Sequence, residues 1–127
     1  MSQGISSSNR QFREILQNPK LARLGDAYVN FLLSLALTQF TGTPAGIKVS
    51  DKILFEAAKK SGIRTLLPRR MKRGQIANVV EAMIVDSWLK KSLSLEEMLQ
   101  IMMNDLDNLP NAITRLLKEI IERMNNS

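Results

Sequence analysis

The sequence predicts a single all-α domain, on three observations. Apolar residues recur at steps of three and four almost throughout, no segment alternates at period two over a useful length, and Ser, Asn, Pro and Gly stand where helix ends need them. At 127 residues the chain can build one compact core but is short for two. Its 44% hydrophobic and 24% charged residues set it apart from disordered and fibrous chains.

Residues 1–9 are polar and Ser-rich, with no basic stretch leading into an apolar one. They read as a flexible N-terminal arm rather than a secretory signal, which leaves 10–127 as the domain. A short amphipathic helix at Gln11–Leu16 follows. The spacing then predicts one long helix over 19–41, which Asn18 caps, Pro19 opens and Gly42 closes. Its apolar stripe is Leu21, Leu24, Tyr28, Phe31, Leu32 and Leu35. The most apolar run, Tyr28 to Phe40, is interrupted by Asn30, Ser34, Thr38 and Gln39 and falls well short of the roughly 20 residues a membrane span needs. A cytoplasmic address is the expectation.

After a loop at 43–46, Ser50 caps a helix through Ser61, and Gly62 takes the position just past its end. Ile63 to Leu67 hold one more turn before Pro68. From Gly74 to about Lys90 the sequence is apolar around most of its circumference, which predicts a central buried helix. Ser94-Leu95-Glu96-Glu97 has the capping-box form and opens a helix to about Asn108. Pro110 starts the last helix, where Ile113, Leu116, Leu117, Ile120, Ile121 and Met124 form an unbroken stripe. That stripe is wider than a lone surface helix requires and predicts a homodimer, with burial in the chain's own core as the alternative. The total is six or seven helices without an internal repeat.

The chain has no His and no Cys, so His- or Cys-based nucleophilic catalysis, thiolate or imidazole zinc sites and disulfides are excluded. Any chemistry must use carboxylates, hydroxyls, Lys, Arg or Tyr. The net charge is +6, and segment 48–73, with nine basic and two acidic residues, holds the whole surplus. Its densest part is Arg64, Arg69, Arg70, Lys72 and Arg73, a local field suited to phosphates, with an ordinary solvated loop as the alternative. Phe12, Tyr28, Phe31, Phe40, Phe55 and Trp88 all fall on apolar helical faces, so base stacking is disfavoured. The expected contact is with the backbone phosphates of a duplex.

Two acids stand in the most apolar helices: Asp26 in Leu-Gly-Asp-Ala-Tyr-Val and Glu81 in Asn-Val-Val-Glu-Ala-Met. A buried carboxylate needs a cation, a set of donors or a role. Two on separate helices can meet at one divalent ion, and hard oxygen ligands suit Mg²⁺, with Mn²⁺ able to replace it. The competing explanation for each is a salt bridge, for instance Asp26 with Arg23. For Asp26 a second is a turn at Gly25-Asp26, with the helix starting only there.

Leu21-Ala22-Arg23-Leu24-Gly25-Asp26-Ala27, followed some fifty residues later by Glu81-Ala82-Met83-Ile84, resembles the ribonuclease III catalytic domain. The order between and after them also matches, through Ser61-Gly62-Ile63-Arg64, the basic linker, Trp88-Leu89 and Ser-Leu-Glu-Glu, over about 20–108. The resemblance implies a dimeric all-α domain whose two active sites face a valley holding double-stranded RNA, and Mg²⁺-dependent hydrolysis of phosphodiesters with no organic cofactor. The family's usual motif has two further acids, where this chain has Ala22 and Asn78. The Mini-ribonuclease III branch is similar in having Ala at the first place and no Asp at the second, and small archaeal ribonuclease III-like proteins are similar in length.

The resemblance thus implies a metal-dependent endoribonuclease on double-stranded or structured RNA, in RNA processing such as ribosomal RNA maturation. Asp26 and Glu81 hold the metal in that reading, Asn78 orients an outer-shell water, and the basic residues grip phosphate. Ala22 and Asn78 favour a different class, a catalytically silent RNA-binding or structural module of a ribonucleoprotein particle. A helical DNA-binding bundle would need a more polar recognition helix than any here.

Overall fold

The computed structural model describes residues 3–126. It is built of six α-helices, α1 (Gln3–Leu16), α2 (Pro19–Thr41), α3 (Asp51–Ser61), α4 (Arg73–Leu89), α5 (Leu95–Met102) and α6 (Leu109–Asn125), with 3-10 turns at Ile63–Leu66 and Met103–Asp105. No strand occurs among the described residues. The first helix thus begins well before Gln11, within the stretch expected to be an arm; Met1 and Ser2 lie outside the described residues.

Helix α4 is the axis of the fold. An unbroken buried run from Val79 to Val85 shows why its apolar residues show no one-sided pattern: α2 packs on one side, α3 and α6 on others, and α1 also touches it. No helix among the described residues is long and apolar enough to cross a membrane.

The ends of α2 are as the sequence predicts. Asn18 Oδ1 accepts from the Leu21 N–H at 3.2 Å, Pro19 occupies the first turn, and Gly42 takes the left-handed conformation with φ of 77°. The helix runs straight through Gly25 and Asp26, so the proposed turn there does not form. The stripe facing the core, however, is Gly25, Val29, Leu32, Leu33 and Ala36. Of the stripe expected to be buried only Leu32 is so; Leu24 and Phe31 are 46% and 54% exposed, and Leu21, Tyr28 and Leu35 are half-buried.

Ser50 caps α3 by accepting from the Ile53 N–H at 3.3 Å, and Gly62 ends it with φ of 91°. Both bonds of the Ser94–Glu97 capping box are made at the start of α5. That helix stops at Met102, short of the expected Asn108. The chain instead turns through 103–105, where the Asp105 carbonyl accepts from the Asn108 N–H at 2.9 Å. Asn108 then caps α6 through the Asn111 N–H.

The apolar stripe of α6 is spent inside the molecule. Ile113, Leu116, Leu117 and Ile120 are buried, chiefly against α3, α1 and α5, so the width of this stripe gives no reason for a dimer. The exposed large apolar side chains lie elsewhere, above all on the outer face of α2 and at Trp88 and Leu89 where α4 ends.

Candidate active site

Gly25 determines how the two acids meet. A Cβ at this position would fall 2.5 Å from the backbone carbonyl carbon of Glu81, so only glycine lets α2 approach the α4 backbone at this point. The next residue, Asp26, is thereby placed beside the Glu81 side chain.

The pair is asymmetric. Glu81 is buried, with 5% of its surface exposed, whereas the Asp26 side chain is 49% exposed. The expectation of two buried acids therefore holds for Glu81 only, because Asp26 stands at the edge of the α2–α4 contact. Burial, reinforced by a hydrogen bond to Asp26 and by the negative charges of Asp26 and Asp51, pushes the Glu81 carboxyl up to about 8, with Lys48 opposing. The cation beside Asp26 is Lys48, at 3.9 Å, from the loop after α2, rather than Arg23. Asp26 Oδ1 also accepts a hydrogen bond from Asn30 Nδ2 at 3.3 Å.

Both acids open onto one cavity of about 670 Å³, which Asn78, Ala22, Asp51 and Met71 also line. Asn78 is exposed on that wall, one turn of α4 before Glu81. Asp51, Lys48 and Asn30 are the site residues that sequence reasoning missed. Lys48 was one charge within a basic segment, and Asn30 one polar interruption of an apolar run.

The basic segment borders the same cavity through Met71. Arg69, Arg70, Lys72 and Arg73 are exposed around it. Arg64 differs: it is half-buried, and its guanidinium donates to the Pro68 and Arg69 carbonyls at 3.2 and 2.9 Å, closing the loop that carries its neighbours. The aromatics also depart from expectation. Phe12 is buried, but Phe31, Phe40 and Trp88 are each more than 40% exposed. Trp88 lies against Tyr28 with ring centroids 5.3 Å apart, and the Tyr28 hydroxyl donates to Met98 Sδ at 3.2 Å.

Among the described residues no three acids cluster closely enough to share a metal ion. Two do meet, and their donor set suits Mg²⁺: hard carboxylate oxygens, open to solvent, and so close together that their charge calls for either a proton or a cation between them.

An all-helical domain whose two central helices bring an Asp and a Glu to the mouth of one cavity is what the sequence motif implied. The ribonuclease III family model matches residues 19–126, most of the chain, and the protein belongs to the ribonuclease III family. No curated protein matches the chain in sequence.

Proposed function

We propose that the protein is a metal-dependent endoribonuclease that hydrolyses phosphodiester bonds in double-stranded or structured RNA, in RNA processing such as ribosomal RNA maturation. The observation that carries this reading is the meeting of Asp26 and Glu81 on an open cavity in a chain of this family. Asp26 and Glu81 would hold Mg²⁺, with Mn²⁺ able to replace it. The cation would supply Lewis-acid stabilisation of charge on phosphate and make water more acidic.

The chain's own residues do the rest. Glu81, buried and anchored on α4, fixes the depth of the site, and Asp26, steadied by Asn30, presents a carboxylate to solvent. Asn78 orients a water from the cavity wall. Arg69, Arg70, Lys72 and Arg73 grip backbone phosphates, while Arg64 holds their loop in shape.

The active form is a homodimer. Its basis is the outer stripe of α2, Leu24, Tyr28, Phe31 and Leu35, joined by Trp88 through Tyr28. A row of exposed and half-buried aromatic and leucine side chains is suited to a matching row on a second copy.

Ala22 and Asn78, both on the cavity wall where the family's usual motif has acids, favour the second reading of a catalytically silent RNA-binding module. One experiment separates the two. The purified protein is incubated with a long RNA duplex and Mg²⁺ beside Asp26→Asn and Glu81→Gln variants. Cutting that needs Mg²⁺ and is lost in both variants is expected; no cutting above the variants leaves only the silent module.

A further inference from the structure

We propose that Lys48 belongs to the active site as a substrate-contacting cation, held beside Asp26 to bind the phosphate of the RNA bond being cut. The inference rests on the nuclease reading above and adds to it a residue from outside the paired acids.

The placement of Lys48 is built rather than incidental. Three polar side chains of α2, spaced four residues apart, clamp the extended chain that follows the helix. Thr38 Oγ1 accepts from the Ala45 N–H at 2.9 Å, Ser34 Oγ from the Ile47 N–H at 2.8 Å, and Asn30 Oδ1 from the Val49 N–H at 2.8 Å. Four residues of helix rise about 6 Å and two of extended chain about 6.6 Å, so the two ladders stay in register over this length. The N–H groups of 45, 47 and 49 face the helix. Lys48, between two clamped residues, has a side chain that is 80% exposed and reaches Asp26.

Asn30 ties the two parts together, because its oxygen holds the Val49 N–H while its nitrogen donates to Asp26. One side chain thus positions both the acid and the loop carrying the lysine. An ion pair this exposed contributes little to stability, so the clamp is not explained by the pair it brings together.

The chemistry needs positive charge at this place. In hydrolysis a water oxygen bonds to phosphorus, the bond to the departing ribose oxygen breaks, that oxygen takes a proton, and the water gives one up to solvent. Negative charge grows on the phosphate oxygens meanwhile. Two carboxylates, where the family's usual motif has four, offer fewer anchors for cations, and a lysine ammonium supplies a fixed positive charge with three hydrogen-bond donors instead.

The test uses the full chain with Lys48→Met and Lys48→Arg variants. Cleavage of a long RNA duplex is measured at saturating RNA and Mg²⁺, Mn²⁺ affinity by electron paramagnetic resonance, and melting temperature alongside. Lys48→Met is expected to melt with the wild type, bind Mn²⁺ as tightly or more tightly because a neighbouring cation is gone, and cut about 100-fold more slowly. Lys48→Arg is expected to recover most of the rate. A Lys48→Met rate within about twofold of wild type, or a loss of Mn²⁺ affinity, overturns the proposal while leaving the nuclease reading standing. A wild type that does not cut overturns the nuclease reading, and this inference with it.

Discussion

Replacing Glu81 with Gln removes an acid that burial keeps protonated near neutral pH. In the folded chain the Glu81 carboxyl titrates at about 8, against an ordinary 4.5. Between those values the unfolded chain has released this proton and the folded chain still holds it. Stability is therefore full below the lower value and declines as pH rises toward the upper one. At about 1.4 kcal/mol per pH unit, the whole window caps the loss at roughly 5 kcal/mol. The carboxyl lines a cavity open to solvent, which screens it, so the expected loss is on the order of 2–3 kcal/mol. For a domain of this size that is roughly 6–10 °C in melting temperature. Thermal melts from about pH 5 to pH 8 in chelator should show this decline in the wild type and a nearly level line in Glu81→Gln. Mg²⁺ held by the two carboxylates, as we propose, would replace that proton, so it should restore the wild type at the alkaline end and leave the variant unmoved. Equal pH slopes in the two proteins, or equal stabilisation of both by Mg²⁺, would refute the reasoning.

Gly25→Ala forces a methyl group into the Glu81 backbone and should cost about 3 kcal/mol or more, read as a lowered denaturation midpoint; a cost under about 1 kcal/mol means the helices are not in close contact there. Phe31→Glu puts a charge in the outer stripe of α2 and should convert a dimer into a 14.3 kDa particle in sedimentation, with the helix content by circular dichroism unchanged because the side chain is already half in water. Arg69→Glu with Arg70→Glu should weaken binding to duplex RNA and lower the slope of log affinity against log salt by about 0.9 for each phosphate no longer neutralised. Arg64→Ala should weaken binding mainly by loosening the loop, seen as faster amide exchange over 66–70.

Helix ends were legible because they are local chemistry. Asn18, Ser50, Ser94 and Asn108 each accept from a backbone N–H three residues on, and Gly42 and Gly62 take the left-handed conformation. The same local rules carried α5 too far, because its end is set by where α6 must begin, a tertiary requirement. The acid pair was legible as a pair but not in its asymmetry. Sequence hydrophobicity around Asp26 and Glu81 is similar, and only the packing of α2 against α4 leaves one acid at the edge and the other inside. The polar ladder was on view in Asn30, Ser34 and Thr38, whose spacing of four is the clue. It reads as a mere break in an apolar run until the loop that pairs with it is in place.

The reversal of the two apolar stripes of α2 has a single physical cause. By hydrophobicity alone, Leu24, Tyr28, Phe31 and Leu35 outrank Gly25, Val29 and Ala36, the smaller members of the buried face, since they bring more apolar area. Large side chains, however, hold helix axes apart, and a helix that must come within backbone contact of α4 has to present its small residues. The glycine that allows this contact also brings Asp26 to Glu81, so a site made of two acids from two helices requires the face that carries Gly25 inside, with Leu32 and Leu33 filling the core farther along, and the Leu24–Phe31 face outside. The larger stripe is then what the monomer leaves uncovered, and a second copy of the chain is the partner we propose for it. If that is so, catalysis and dimerisation are not separate acquisitions of this chain but two outcomes of one close helix crossing, and Gly25→Ala should weaken both together.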